Sequence, residues 1–417
     1  MTVKKSTLYA LFIVSLLATE FYYIEVGGGV ARIYHFVAVA VVLLLIGSVS
    51  RLFQSSVFLA LLTFLGISLI AAFLSDNPSR AVASLASLFA NVGVAIAVAL
   101  VLVGRKISPK QLVNLVLAVT VLSIFFGLAQ IYANKVGVVL ALSPAQTNQI
   151  QLGFGPGFRT EANTFGKYLL FPFLLVLPAY LKSSRNRSLQ SVYLVMIVGM
   201  LMNFTRSAIY GLMVSLLFAY LWYAFRGRLV SVSARSVSVL TVAAVGIALI
   251  LGGFVGVGDY GRYKLANMFN AEEIMEGGSS AYRINSMKTV IESASSDAKR
   301  LFIGDGWGET YFEVQGQIVQ AGGADLINVL GYNGLLGVLS YLLYSSFVFF
   351  ALARAARRSA NYTQALFAEG LLFAFVGMFV TGLMSGYLIS PEYWLLIGAS
   401  IYVSIIGNSP KKSVRIH

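Results

Sequence analysis

Residues Val82–Val103 read VASLASLFANVGVAIAVALVLV, a run without a charged residue. As a helix, about 20 such residues cross roughly 30 Å of hydrocarbon. Similar runs recur along most of the chain, and hydrophobic residues make up 58% of its 417 residues while charged residues make up 11%. With a mean hydropathy of +0.82, this composition excludes an ordinary soluble protein. The sequence predicts an all-α, polytopic integral membrane protein.

The apolar runs predict about 12 transmembrane helices. They lie at Leu8–Tyr23, Tyr34–Val49, Leu52–Leu74, Val82–Val103, Leu112–Ala133, Thr164–Leu181, Leu189–Asn203, Ala208–Phe225, Val237–Val255, Leu326–Phe350, Ala365–Met384 and Tyr393–Ile406. The chain then divides into residues 1–255 with helices one to nine, a large outer loop at 256–325, and residues 326–417 with helices ten to twelve and a tail. An even number of spans places both termini on the same side.

The charged residues predict which side that is. Of the 30 basic residues, 18 fall in loops on one side: Lys4, Lys5, Arg51, Arg105, Lys106, Lys110, Lys182, Arg185, Arg187, Arg226, Arg228, Arg235, Arg354, Arg357, Arg358, Lys411, Lys412 and Arg415. By the positive-inside rule these loops, and both termini, are cytoplasmic. Of the 16 acidic residues, only Glu369 falls near that side. The net charge of +14 is therefore interpreted as membrane topology, and no nucleic-acid partner is predicted.

Three of the arginines in the predicted outer segments stand out. Arg159 precedes the sixth span, Arg206 sits in the short connector 203–207, and Arg283 opens a predicted amphipathic helix at Tyr282–Ala298. A charge at the membrane boundary is costly to bury, so it usually has an anionic partner or a functional role. Guanidinium groups bind phosphate in a bidentate manner, so three converging arginines predict a phosphate-bearing ligand. The alternative is that each arginine snorkels or pairs with one of the many outer carboxylates.

The outer loop carries two further patterns. Helical spacing predicts that Ile284, Met287, Ile291 and Ala294 form one apolar stripe. The segment Gly304-Asp-Gly-Trp-Gly308 is interpreted as a tight turn because no strand precedes it, as a nucleotide loop would require. The acidic residues of the loop have no recognisable metal-ligand spacing. With no cysteine and two histidines in the chain, neither a metal nor another cofactor is predicted.

Several short motifs occur in a characteristic order. They are Phe158-Arg159-Thr-Glu161-Ala-Asn163 ahead of a span, Thr205-Arg206-Ser207 at the head of another, then Arg283, Leu301-Phe-Ile-Gly304-Asp-Gly306, Asp325-Leu-Ile-Asn328 and Gly334-Leu-Leu-Gly337. This arrangement, over about residues 153–350, resembles the O-antigen ligase/polymerase (Wzy-like) superfamily. Each motif alone is weak, and their order and spacing carry the resemblance.

The resemblance implies a GT-C-like glycosyltransferase in the bacterial inner (cytoplasmic) membrane. It would transfer glycan from one undecaprenyl-diphosphate-linked repeat unit onto another at the periplasmic face. Arg159, Arg206 and Arg283 match the family's outer arginines, which are thought to hold the lipid-linked diphosphate. The ligase pattern has a histidine where this chain reads Gly322-Gly-Ala-Asp325, which favours the polymerase branch. Membrane lipids and a chain-length regulator protein are the other candidate partners.

The acceptor hydroxyl in such a transfer needs a general base. Asp325 is the first candidate and Glu161 the second, and the alternative for Asp325 is an N-cap of the helix that follows it. Tyr282, Trp307 and Tyr311 are candidates for stacking on sugar rings, with anchoring at the membrane interface as their alternative role.

Three other functions stay open on the sequence alone. A ligase would move a finished glycan onto lipid A core or a protein. A lipid-linked oligosaccharide flippase or a permease would show an internal repeat and polar residues at mid-membrane, and the sequence shows no clear repeat. A membrane scaffold without enzymatic activity would leave the outer arginines without a role.

Overall fold

The computed structural model describes residues 5–19, 23–26, 29–182, 187–203, 205–226, 278–308, 311–314, 317–320, 323–359 and 361–408. The helices are α1 (Lys5–Ala18), α2 (Ile33–Leu44), a 3-10 helix (Ile46–Gln54), α3 (Ser56–Phe73), α4 (Pro78–Val103), α5 (Pro109–Lys135), α6 (Pro144–Gln151), α7 (Ala162–Lys182), α8 (Arg187–Asn203), α9 (Arg206–Ala224), α10 (Gly278–Ser295), α11 (Ala298–Ile303), α12 (Asp325–Arg358), α13 (Tyr362–Gly382) and α14 (Pro391–Asn408). Two antiparallel hairpins pair β1 (Tyr23–Val26) with β2 (Gly29–Arg32) and β3 (Tyr311–Val314) with β4 (Gln317–Gln320).

Seven of these helices are long and apolar enough to cross a membrane, namely α3, α4, α5, α7, α9, α12 and α13. The helix α2 and the following 3-10 helix form a further apolar pair with a bend of 90°, and α1, α8 and α14 are shorter apolar helices. The predicted all-α, multi-pass membrane architecture is therefore confirmed in this coarse form. The count of twelve spans stays a prediction, and the predicted ninth span lies outside the described residues.

Local capping explains where several helices begin. The Ser55 hydroxyl accepts a hydrogen bond from the backbone N–H of Phe58 at 3.3 Å, at the start of α3. Ser108 and Gln111 form a reciprocal capping box on α5, and the Asn361 side chain accepts from the N–H of Thr363 at 2.9 Å on α13. Each cap satisfies backbone donors that have no partner inside the helix.

The helix α7 lies at the centre of the bundle, and most of its side chains are buried. It packs against α8, α9 and α13. Gly370 of α13 lies directly on the backbone of Leu175 in α7, where any side chain would overlap the carbonyl group. Small residues of this kind let two membrane helices approach closely, so α7 and α13 form a tight central pair.

The helix α12 breaks at Gly334, whose backbone angles are φ 61° and ψ −163°. At the break, the carbonyl groups of Gly331 and Tyr332 accept hydrogen bonds from the N–H groups of Asp305 at 2.9 Å and Gly306 at 3.0 Å. The segment 304–308 is thus a tight turn that packs on α12, as its sequence predicted. The turn supplies donors to carbonyl groups that the helix break would otherwise expose.

The amphipathic helix in the outer segment is present as α10, but its buried face differs from the predicted one. Ser286, Val290 and Ala294 are buried, whereas Ile291 is 49% exposed. The predicted stripe is therefore wrong at Ile291. The reason is tertiary: the helix lies against Gly323, with Met287 and Arg283 as the neighbours of that glycine. This contact turns Arg283 toward the bundle.

Charged residues mark the two ends of the bundle. At one end, named the basic end here, the buried Glu369 carboxylate contacts Lys182 Nζ at 2.6 Å and Arg226 Nη1 at 2.9 Å. At the opposite end, named the loop end, Asp76 pairs with Lys299 at 2.8 Å and Arg300 at 3.4 Å. Residues predicted to be cytoplasmic thus cluster at the basic end and residues predicted to be outer at the loop end.

Replacing Glu369 by glutamine tests the buried charge cluster. The substitution removes the negative charge between Lys182 and Arg226, so the two like charges would then face each other. We expect the free energy of unfolding to fall by about 3 kcal/mol, measured by denaturant unfolding in a neutral detergent. The control is Glu292→Gln, an exposed residue 3.9 Å from Lys288, which should change stability by about 0.5 kcal/mol or less. Equal effects of the two variants would contradict a stabilising role for the Glu369 cluster.

Candidate functional site

The first turns of α7 and α9 are joined side by side at the loop end. The Thr205 hydroxyl, at the N-cap of α9, donates a hydrogen bond to the carbonyl oxygen of Asn163 at 3.4 Å. Gly166 of α7 lies against Thr205, and any side chain there would overlap the threonine. Arg206, the first residue of α9, is thereby fixed next to the start of α7.

Glu161 immediately precedes α7 and is exposed. Its carbonyl oxygen accepts hydrogen bonds from the Thr164 hydroxyl at 2.7 Å and from the N–H of Phe165 at 3.0 Å. The backbone of Glu161 is therefore anchored on the first helical turn while its carboxylate faces outward. An exposed carboxylate on a fixed backbone can accept a proton from a bound hydroxyl group.

Arg283 of α10 is half-buried and completes this group of charges. Burial lowers the pKa of its guanidinium, the charge of Arg206 lowers the pKa further, and the carboxylate of Glu161 opposes both effects. Arg206, Arg283 and Glu161 are therefore close enough to interact electrostatically. An anion bound near both arginines would offset their mutual repulsion, so the group is a candidate anion-binding site with one accessible carboxylate.

Arg159, the third predicted arginine, lies in the packed interior. Its side chain is 1% exposed, and its Nη1 atom lies 3.3 Å from Oε2 of Glu392, which is also buried. The guanidinium stacks over the ring of Tyr168, with 4.1 Å between its Cζ atom and the ring centroid. The structure thus brings Arg206 and Arg283 together with Glu161, and it directs Arg159 to a buried carboxylate instead.

Asp325 is buried at the start of α12. Its Oδ1 atom accepts hydrogen bonds from the N–H groups of Tyr387 at 2.8 Å and Leu388 at 3.2 Å. The N-cap of α12 is Ala324, so the alternative reading of Asp325 as that cap is wrong. The carboxylate instead holds the turn between α13 and α14, and its enclosure favours Glu161 as the accessible base.

Sequence reasoning missed two residues of this region, Lys167 and Glu392. The Lys167 ammonium, one turn inside α7, donates a hydrogen bond to the carbonyl oxygen of Gly386 at 3.0 Å, and the N–H of Gly386 donates to the carbonyl oxygen of Gly323 at 2.6 Å. A lysine inside the predicted span Thr164–Leu181 is the signal that could have revealed it, because ionisable residues within membrane spans are rare.

The aromatic candidates for sugar stacking are placed only in part. Trp307 is buried in the turn at 304–308, with its ring centroid 5.1 Å from that of Tyr332. This position makes it a packing residue between the turn and α12. The side chains of Tyr282 and Tyr311 lie outside the described residues.

Within the described ranges, no group of three or more histidine, cysteine, aspartate or glutamate residues has the arrangement of a metal site. Comparison of the chain with models of known protein families and with curated protein sequences found no match. Its functional assignment therefore depends on the arrangement of its own residues.

Replacing Asp325 by asparagine tests whether this carboxylate is structural. The amide keeps one oxygen acceptor but loses the negative charge and the second oxygen, which accepts from the N–H of Tyr387 at 2.9 Å, so we expect a loss of about 2 kcal/mol in the free energy of unfolding. Unfolding in a neutral detergent gives the stability, and amide hydrogen exchange at Tyr387 and Leu388 locates the change. The control is Asp297→Asn, since asparagine is an equally good N-cap for α11. Unchanged stability and exchange in Asp325→Asn would contradict the structural role.

Proposed function

We propose that this chain is a glycosyltransferase of the GT-C type that acts as a polymerase of O-antigen or a related surface polysaccharide. It transfers glycan from one undecaprenyl-diphosphate-linked repeat unit onto another at the outer face of the bacterial inner membrane. The observation that carries this proposal is that Arg206, at the head of α9, is held against the start of α7 beside the exposed Glu161. Arg283 of α10 lies within electrostatic range of both. The resemblance to the O-antigen ligase/polymerase superfamily, which covers these same three residues, supplies the substrate class.

The chemistry follows from the charges. The acceptor hydroxyl attacks the anomeric carbon of the donor sugar, the bond from that carbon to the diphosphate oxygen breaks, and undecaprenyl diphosphate leaves with the electron pair. Arg206 and Arg283 stabilise the negative charge that develops on the leaving diphosphate. Glu161 accepts the proton that the acceptor hydroxyl loses. The leaving diphosphate and the released proton are thus both accounted for by residues of the site.

Four buried charged residues lie next to the segments that carry this site. Arg159 and Glu392 form an ion pair beneath the segment that bears Glu161, two residues along the chain from Arg159. Lys167 and Asp325 fasten the turn at 386–388. We assign these four residues a positioning role, since Arg159 contacts Glu392 and the other two contact the backbone of the turn at 386–388.

The orientation in the membrane is part of the proposal. The candidate site lies at the loop end, and Lys182, Arg226 and Arg357 lie at the basic end together with Trp222 and Glu369. The positive-inside rule assigns the basic end to the cytoplasm. The site then faces the side on which lipid-linked repeat units are joined.

Replacing Arg206 or Arg283 by alanine tests the diphosphate site. With undecaprenyl-diphosphate repeat units and the purified protein in liposomes, we expect each variant to slow glycan elongation by about 100-fold, because one donor to the leaving group is lost. The matched control is Lys288→Ala on the same helix as Arg283; Lys288 is 73% exposed, and its loss should leave elongation unchanged. Full activity in both arginine variants would reject the diphosphate site.

The products of the same assay separate the rival functions. A polymerase lengthens the glycan, whereas a ligase leaves its length unchanged and transfers it to a new carrier. A flippase moves the intact lipid-linked donor across the vesicle membrane without forming a new bond. Donor movement without elongation would therefore overturn the assignment as an enzyme.

Replacing Glu161 by glutamine tests the general base. The amide keeps the shape of the side chain and cannot accept the proton, so we expect the maximal elongation rate to fall by about 100-fold while binding of the lipid-linked donor is retained. Donor binding is measured with a labelled repeat unit in detergent. The control is Glu292→Gln on the exposed side of α10. A Glu161→Gln enzyme as fast as the wild type would remove Glu161 from the mechanism.

A further inference from the structure

Two adjoining cavities lie at the basic end, at the opposite end of α12 from Asp325. One encloses about 320 Å³ and is lined by Phe347, Phe350, Arg354 and Ser404, among others. The second encloses about 390 Å³ and is lined by residues that include Arg358, Asn361, Gln364 and Tyr402. Ala355, Val403 and Gly407 line both cavities, so the two adjoin where α12 packs on α14. The pair of cavities is named the cleft here.

The polar part of this cleft is cationic. Arg354 and Arg358 lie one helical turn apart on α12, and both are exposed. The other polar groups in the lining are hydroxyl and amide groups, and none of the lining residues is acidic. Two arginines on one helix face with hydroxyl and amide donors beside them are suited to the oxygen atoms of a phosphate group.

Among the residues that the structure describes, no carboxylate pairs with these arginines. In the segments predicted to lie at this side of the membrane, the sequence holds one acidic residue, Glu369. Its carboxylate already contacts Lys182, Arg226 and the Tyr223 hydroxyl. Arg354 and Arg358 form no ion pair with any other described residue. An anion from outside the described residues would therefore complete this group of charges.

The apolar part of the cleft lies on the membrane side of the arginines. Phe347 and Phe350 precede Arg354 by about one to two turns on α12, and Phe350 is 62% exposed. A phosphate-binding end joined to an exposed aromatic wall matches the two parts of a phospholipid, its headgroup and its acyl chains. Basic pockets between transmembrane helices bind anionic headgroups in this way.

We infer that this cleft binds an anionic phospholipid, with the phosphate between Arg354 and Arg358 and the acyl chains along Phe347 and Phe350. The site is separate from the proposed transferase site and does not depend on that function. The bound lipid would hold the last turns of α12 and α14, at the basic end of the bundle, at the membrane surface.

Lipid titration of the full-length protein tests this inference. Phosphatidylglycerol is added to the protein in a neutral detergent, and the lipid retained is counted by native mass spectrometry. We expect the Arg354→Gln/Arg358→Gln variant to bind phosphatidylglycerol about thirtyfold more weakly than the wild type. If the double variant fails to fold, Arg358→Gln alone should bind about fivefold more weakly.

A matched control separates the cleft from diffuse surface charge. Lys106→Gln/Lys110→Gln removes two exposed positive charges at the same end and should bind phosphatidylglycerol as the wild type does. A loss in this control equal to that in the cleft variant, or no loss in the cleft variant, overturns the inference. Phosphatidylcholine bound equally well would show an apolar groove without headgroup recognition. Displacement of the lipid by an equal concentration of inorganic phosphate would show a site for free anions. Either of these two results would also overturn the inference of a phospholipid site.

Discussion

The hydrogen bonds from the N–H groups of Tyr387 and Leu388 to the Asp325 carboxylate join the start of α12 to the turn between α13 and α14. The same turn receives the Lys167 ammonium from α7 at the carbonyl oxygen of Gly386. Gly386 in turn binds Gly323, the residue on which Arg283 packs. A buried charge in so apolar a bundle must be paired or solvated by backbone dipoles, and here that requirement ties four helices to one turn. The position of Arg283 relative to α7 and α9 depends on this junction.

Many of the helices could be predicted from the sequence, because the length of an apolar run determines whether it can cross a membrane as a helix. The spans predicted around Leu52–Leu74, Val82–Val103 and Leu112–Ala133 coincide with α3, α4 and α5 to within several residues. Local sequence also placed Glu161 before α7 and Arg206 at the head of α9, since both depend on neighbours a few residues away. The break of α12 at Gly334 was not predicted, because it depends on donors from the distant turn at 304–308.

The candidate site was predictable only where it is local. The pairing of Arg159 with Glu392 joins residues more than two hundred positions apart, and no pattern within a single span indicates it. The same holds for Asp325, whose sequence position predicted a general base or, alternatively, a helix cap, and whose carboxylate accepts hydrogen bonds from the backbone of another turn. For α10, helical periodicity predicted the helix but not its buried face. Contact with Gly323 determines which side of the helix faces the bundle. Tertiary contacts therefore separate the buried Arg159 from the two arginines of the candidate site.

The break in α12 is where the 304–308 turn is attached to this helix. A side chain at Gly334 would collide with the backbone of Phe302 and Ile303. The residues just before the 304–308 turn therefore pack directly against the break in α12. Displacing that turn must either break its two hydrogen bonds to Gly331 and Tyr332 or tilt the first part of α12 with it. The same helix ends at the cleft that holds Arg354 and Arg358. One helix, broken at Gly334, therefore connects the 304–308 turn at the loop end with the cleft at the basic end.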